Sequence, residues 1–140
     1  MAKSYSVQRT INASADRVWR LLSEAASYPD WNPAVVSLKG RIADDERIEL
    51  VSSVNPKRTF TLTVSQVQPT RGMVWSDGMP LGMFKGVRTF ALRSNGGEHT
   101  EFSMEEVYSG PLARLITRAI PDLTESFDQF ADGLKAASET

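Results

Sequence analysis

The side chains of this 140-residue sequence with the best prospects for chemistry are two charged residues in apolar surroundings. Segments 84–92 and 100–108 alternate apolar and polar residues with the period of two that is typical of strands. Arg88 and Glu106 fall on the apolar faces of these segments, where an unpaired charge would be costly. We therefore predict that the two residues pair across neighbouring strands, with the Tyr108 hydroxyl nearby.

Such a pair is compatible with three roles. It could be a structural ion pair, because a buried pair does not by itself show function. It could anchor the polar group of a small molecule inside an apolar cavity. It could also transfer protons, with Glu106, Arg88 and Tyr108 as the candidate catalytic residues and with the pKa of Glu106 raised. The sequence leaves all three roles open.

Other common kinds of site lack the residues they need. The sequence has no cysteine, which excludes disulfides, thiolate catalysis and zinc–thiolate sites. Its one histidine, His99, follows two glycines at a predicted hairpin tip, so we expect it to be exposed. No acidic or histidine residues have the spacing of metal ligands, and no nucleophile elbow or phosphate-binding glycine motif occurs. We expect neither a metal nor a cofactor.

The elements that must position Arg88 and Glu106 are mostly strands. Alternation predicts an opening strand that begins near Tyr5, strands over 35–42 and 47–54, and further strands that begin near Phe60 and Met73. A short helix should begin after an N-cap at residue 14, and the two prolines within 28–33 favour a loop or a short helical turn there. The residues Ser94-Asn95-Gly96-Gly97 signal a hairpin between the two strands described above.

The last quarter of the sequence has a helical pattern instead. Apolar residues recur every three or four positions from Leu112 to Ala137, which predicts one long amphipathic helix. Pro121 removes a backbone donor, so we expect a kink or break near Ile120, with 112–119 over a cavity mouth. Many strands followed by one long helix favour a curved sheet around that helix, with a cavity between them.

Apolar residues on or beside loops are candidates for the lining of that cavity. The run Met79 to Phe84 is unusually apolar for a loop, so it needs either burial or a ligand, and it could act as a gate. For Trp75 we favour a place in the ordinary core. The predicted ligand-binding residues are Trp31, Phe60, Trp75, Met79, Met83, Phe84, Arg88, Phe90, Phe102, Met104, Glu106, Tyr108, Ile116, Ile120, Leu123 and Phe127.

The net charge and the apolar content of the sequence limit the kinds of partner that we expect the protein to bind. The formal net charge of -1 gives no strong field towards nucleic acid or an anionic membrane. Lys57-Arg58 and the pair Arg114 and Arg118 are too sparse for a nucleic-acid groove, and we expect them to be solvated. No apolar run could span a bilayer, and the first residues lack the apolar core of a signal peptide, so we expect a cytoplasmic protein with one domain over 1–140.

The order of these segments resembles the START-like (SRPBCC) superfamily, and within it the polyketide cyclase/dehydrase-like branch. The resemblance covers essentially the whole chain. It is carried by INASADRVW at 11–19, YPDWNP at 28–33, FKGVRTF at 84–90, EVYSG at 106–110, IPDLTESF at 120–127 and GLK at 133–135. It implies an α+β helix-grip fold, in which a seven-stranded curved antiparallel sheet surrounds a long C-terminal helix and two short helices follow the first strand.

The resemblance also implies a deep apolar cavity and a range of functions. Members bind lipids, sterols, polyketides or other hydrophobic molecules, and some catalyse cyclisation, aromatisation or dehydration without a shared catalytic motif. Many similar sequences have a small polar residue or histidine at the position of Arg88, which here would narrow the cavity and add charge. We expect a monomer or homodimer that binds a small hydrophobic molecule of lipid, polyketide or aromatic type. The alternatives are a cyclase or dehydratase acting in that cavity, and a stress-related or chaperone-cofactor interaction protein.

Overall fold

A seven-stranded antiparallel sheet is the frame of the protein in the computed structural model, which describes residues 3–118 and 121–140. The strands are β1 (Lys3–Ile11), β2 (Val35–Lys39), β3 (Arg47–Ser52), β4 (Phe60–Gln68), β5 (Gly72–Gly78), β6 (Lys85–Ser94) and β7 (Thr100–Ser109). Their spatial order is β1-β7-β6-β5-β4-β3-β2. From β2 onward each strand therefore lies beside the next in sequence, while β1 pairs with β7 at the far side of the sheet.

Short helices carry the chain from β1 across to β2. Helix α1 spans Ala15–Ser23, a 3-10 turn spans Ala25–Ser27, and α2 spans Tyr28–Trp31. The predicted N-cap is confirmed, since the Ser14 hydroxyl accepts a hydrogen bond from the Arg17 N–H. The segment predicted as a loop or short helical turn forms the short helix α2, because proline is tolerated in a first helical turn.

The hairpin β6–β7 has the predicted register. Arg88 lies opposite Glu106, Phe90 opposite Met104 and Leu92 opposite Phe102. Gly96 and Gly97 adopt φ values of 88° and 84° at the tip, a conformation that glycine takes without strain. His99 is exposed as expected, with its Nδ1 2.9 Å from the Asn12 Oδ1.

The single helix predicted from Leu112 to Ala137 is wrong, because the structure has two helices there. Helix α3 spans Ala113–Thr117 and α4 spans Thr124–Ser138. The predicted interruption at Pro121 is thus confirmed as a break, although its expected position near Ile120 lies outside the described residues. Asp122 reinforces the break, since its Oδ1 accepts a hydrogen bond from the Thr124 N–H at the start of α4. No helix in the described ranges is long and apolar enough to cross a membrane.

The inner end of the molecule is an aromatic core between the sheet and α4. The Phe130 ring on α4 lies 5.8 Å from Phe90 and 6.4 Å from Phe102, measured between centroids. Helix α4 can approach the end of α2 closely because Gly133 has no side chain. A Cβ at Gly133 would lie only 2.4 Å from the Trp31 carbonyl oxygen. Phe90 and Phe102 thus face α4, and this core fixes the distance between helix and sheet.

Candidate functional site

A cavity of about 240 Å³ lies between the sheet and the helices α3 and α4. Most of its wall is apolar, formed by Ala34, Val35, Leu50, Val54, Phe60, Leu62, Trp75, Phe84, Gly86, Met104, Ile116, Pro121, Leu123, Phe127 and Phe130. The polar members of the wall are Ser52, Asn55, Arg58, Asp77, Arg88, Glu106, Tyr108 and Ser126. An apolar wall with a few polar groups is the usual composition of a small-molecule site.

The predicted pair of Arg88 and Glu106 is present in this wall. The Arg88 Nε donates to the Glu106 Oε1 over 2.6 Å, and the two side chains are only 15% and 13% exposed. The Tyr108 hydroxyl donates to the other oxygen of Glu106, Oε2. Both carboxylate oxygens therefore accept a hydrogen bond, which offsets much of the cost of burying the charge.

Tyr108 is held in place by its neighbours on β6 and on the preceding loop. A Cβ at Gly86 would lie 3.2 Å from the Tyr108 Cε1, so the missing side chain leaves room for the ring. On its other side the ring stacks with Phe84, with centroids 5.8 Å apart. Burial, and then the negative charge of Glu106, raises the pKa of Tyr108 far above its usual range. The phenol thus stays protonated and keeps donating to Glu106.

Glu106 uses only one of the N–H donors of Arg88. Its guanidinium lies over the Phe127 ring, with Cζ 4.9 Å from the centroid, and only Nε bonds to Glu106. Its two Nη atoms donate no hydrogen bond to residues 3–118 or 121–140. Because Arg88 lines the cavity, these N–H groups remain available to an acceptor placed there.

The structure brings together ten of the sixteen residues proposed from sequence as ligand contacts, and their role in binding remains a prediction. Those in the cavity wall are Phe60, Trp75, Phe84, Arg88, Met104, Glu106, Tyr108, Ile116, Leu123 and Phe127. Three others, Trp31, Phe90 and Phe102, pack around Phe130 in the aromatic core instead. Met79 and Met83 are exposed on their loop, and Ile120 lies outside the described residues.

Several wall residues were missed from the sequence. Leu50 and Ser52 share the inward face of β3 with Ile48, so the strand alternation carried a signal for them. Ser126 is three residues after Leu123 and lines the cavity with it, which the helical spacing in the sequence also indicated. Arg58 lies in a connection between strands and had no periodic signal. No group of three or more potential metal ligands occurs among the residues that the structure describes.

Comparison with known proteins agrees with this architecture. The family model described as "Polyketide cyclase / dehydrase and lipid transport" matches residues 2–139. The chain belongs to this family. The START-like resemblance and the α+β helix-grip fold expected from the sequence are thereby confirmed. A search among curated proteins gives no match.

Solved structures share the fold of this family member at low sequence identity. The Zhui aromatase/cyclase from Streptomyces sp. R1128 has a TM-score of 0.77 at 14% identity, with 99% of this chain and 94% of that chain covered. A START superfamily protein from Mycobacterium smegmatis has a TM-score of 0.70 at 17% identity, covering 97% of each chain. A point mutant of norcoclaurine synthase from Thalictrum flavum has a TM-score of 0.69 at 15% identity, covering 97% and 93%. These identities show the fold alone.

Proposed function

We propose that this family member binds a small, largely apolar molecule that carries a hydrogen-bond acceptor, in the cavity between the sheet and α4. Arg88 is the observation that carries the proposal. Its charge is kept at the wall of an apolar cavity by Glu106, yet its Nη donors have no partner in the described part of the chain. Apolar contact would come from Phe60, Trp75 and Phe127 together with the other wall residues.

The charges around Arg88 favour a neutral acceptor. Glu106 already balances the positive charge, and Tyr108 stays protonated and adds none. A ligand carboxylate would bring a second negative charge close to Glu106, which is unfavourable in a poorly solvated site. A carbonyl oxygen would accept from Arg88 without that repulsion, and a hydrogen bond to a charged donor contributes about 1.5–3 kcal/mol.

A pair of matched dyes tests the proposal. One is 2-acetyl-6-(dimethylamino)naphthalene, and the other carries an ethyl group in place of the acetyl group. Removing Arg88 alone would leave Glu106 unpaired, so the test variant combines Arg88→Met with Glu106→Gln, and Arg93→Met on the same strand is the control. We expect the double variant to bind the acetyl dye at least about tenfold more weakly and the ethyl dye unchanged.

The outcome of the dye titrations separates the possibilities. Near-UV circular dichroism first establishes that the double variant is folded. If that folded variant binds the acetyl dye as tightly as the unmodified protein, Arg88 is no anchor and the cavity is a purely apolar container. If neither dye binds the unmodified protein, the proposal of ligand binding fails altogether.

A second function, cyclase or dehydratase activity, is favoured by the contact between Tyr108 and Glu106. These are acid–base groups in the wall of the cavity. Glu106 would become neutral on taking the α-proton of a ketone, so Arg88 could then stabilise the enolate oxygen that forms next to it. Dehydration of 4-hydroxy-4-phenylbutan-2-one to the conjugated enone tests this by absorbance. An accelerated reaction that is lost in Tyr108→Phe and Glu106→Gln would support the enzyme, and the uncatalysed rate would contradict it. The interaction-protein alternative stays a prediction.

A further inference from the structure

Three connections at one end of the sheet form the rim of the cavity. They are segment 53–59 between β3 and β4, segment 79–85, which joins β5 to β6 and includes the first residue of β6, and segment 110–118 after β7. In an antiparallel sheet with this strand order, these three connections must lie at the same end. Arg58, Phe84 and Ile116, one from each segment, line the cavity. We call these three segments the mouth.

The mouth is basic, although the whole chain is nearly neutral. It contains five of the sixteen Lys and Arg residues of the protein and none of the seventeen Asp and Glu residues. All five basic side chains are exposed, and they are Lys57, Arg58, Lys85, Arg114 and Arg118. The acidic residues nearest in sequence, Asp77 and Asp122, lie just outside the mouth segments and reduce this excess without cancelling it. The formal net charge of -1 is therefore unevenly distributed, with an excess of positive charge at the mouth.

The mouth also holds most of the exposed apolar side chains. Among the residues that the structure describes, the exposed large apolar side chains are Val36, Met79, Leu81, Met83 and Leu115. All but Val36 belong to the mouth, and Leu81 is 97% exposed while Leu115 is 66% exposed. Leu81 also has a φ of 63°, a left-handed conformation that is uncommon for a residue with a side chain. The apolar loop predicted to need burial or a ligand is thus open to solvent.

The apolar loop and α3 form one continuous surface. The Leu112 N–H donates to the Met83 carbonyl oxygen over 2.9 Å. A Cβ at Gly110 would lie 2.7 Å from that same oxygen and 2.8 Å from the Gly82 oxygen, so the two backbones touch. Leu81 and Leu115 therefore belong to elements in direct contact, and Arg114 and Arg118 lie one helical turn apart beside Leu115.

We propose that the mouth docks on the surface of an anionic lipid bilayer. Apolar side chains that enter the boundary between headgroups and acyl chains, with basic side chains at the lipid phosphates, are the usual elements of interfacial binding. A lipid layer is favoured over an acidic protein because Leu81 is exposed on all sides. A rigid partner would contact such a side chain little, whereas fluid lipid can surround it.

This docking would extend the proposed ligand binding. With the mouth on the bilayer, the cavity opens towards hydrocarbon, so an apolar ligand could exchange without crossing water. The docking itself needs no ligand in the cavity. Its failure is therefore distinguishable from failure of the proposed function, which is measured with the dyes in the absence of vesicles.

Vesicle flotation tests the apolar part of the proposal. The vesicles contain either phosphatidylcholine alone or equal amounts of phosphatidylcholine and phosphatidylglycerol. We expect binding only to the anionic vesicles, and binding about tenfold weaker or more for Leu81→Ser. Val36→Ser is the matched control, because it removes an exposed apolar side chain outside the mouth and should leave vesicle binding unchanged. Leu81→Ser should also keep full dye binding.

A second pair of variants tests the charges. Arg114→Gln with Arg118→Gln should weaken binding to the anionic vesicles about 25-fold, since each basic side chain near such a surface contributes a factor of roughly five. Arg71→Gln with Arg93→Gln removes two exposed charges elsewhere and should have little effect. Four results would overturn the proposal: no binding to anionic vesicles, equal binding to both kinds, equal losses in test and control variants, or self-association through Leu81 without vesicle binding.

Discussion

The hairpin β6–β7 is built differently at its two ends, although one face of it points towards α4 throughout. At the inner end, Phe90 and Phe102 pack against Phe130 with their rings in contact. At the outer end, the same face carries Arg88 and Glu106 beside a cavity. The inner end excludes solvent and fixes the helix, while the outer end keeps space and polar groups at a cost in stability. Close packing at one end allows the other end to stay open.

The largest expected effect is a substitution at the inner end. Phe102→Ala should lower the free energy of unfolding by about 3–5 kcal/mol, because Phe102 is almost fully buried and its removal leaves a void beside Phe130. Phe60→Ala is the comparison at the cavity, where Phe60 is only half-buried, and it should cost clearly less. Urea denaturation measures both, and equal losses would remove the distinction between the two ends.

The next effect concerns the charged pair at the outer end. Glu106→Ala should lower the free energy of unfolding by about 3 kcal/mol, because it leaves Arg88 charged and unpaired in an apolar wall. Combining Glu106→Ala with Arg88→Met should cost clearly less than the sum of the two single changes. Strictly additive losses in this cycle would mean that the two side chains do not interact.

A third prediction concerns the pH dependence of stability that Tyr108 gives to the outer end. Burial raises the pKa of Tyr108 in the folded protein, so above pH 10 the phenol ionises in the unfolded chain first. The folded state then binds more protons, and stability that is complete below pH 10 is lost as pH rises. Relative to Tyr108→Phe, the protein should lose about 1.4 kcal/mol more for each pH unit above 10. Parallel stability curves from pH 9 to 11 would contradict the burial of Tyr108.

The smallest expected effect is at Gly86. An alanine there would place its Cβ 3.2 Å from the Tyr108 ring, which Phe84 holds from the other side. We expect Gly86→Ala to cost about 1 kcal/mol of stability through this overpacking. It should also weaken binding of the acetyl dye, since Tyr108 supports Glu106 and Glu106 supports Arg88. Unchanged stability and binding would show that the ring moves freely.

Period-two alternation predicted the hairpin, its register and the pairing of Arg88 with Glu106, because register follows from which face is apolar. It could not predict how far the cavity reaches along that face. Phe90 and Met104 are register partners and both are buried, yet only Met104 lines the cavity. Phe90 packs against the rings of Trp75 and Phe130, with centroids 4.6 Å and 5.8 Å away, and both of those rings line the cavity. The position of Phe130 follows from the packing of α4 rather than from local sequence.

The interruption of the C-terminal helix was predictable at Pro121, but its length was not. A proline breaks a helix at a known place, whereas the end of α3 at Thr117 and the restart at Thr124 depend on tertiary contacts. The exposure of Leu81 was likewise beyond sequence reasoning. Apolar composition predicts burial for most residues, so an apolar side chain left in solvent is visible only in the folded structure.

The pairing of β1 with β7 has a consequence for the order of folding. Lys3 is the register partner of Tyr108, and Ile11 is the register partner of Thr100. Strand β1 therefore cannot pair until β7 has been synthesised. The other six strands are synthesised before β1 can pair with β7, and Val7 and Ile11, which are buried in the folded protein, stay uncovered until then. Such distant pairing makes closure of the sheet a late and slow step. In the nascent chain, the apolar first strand is therefore the segment most in need of protection by a chaperone.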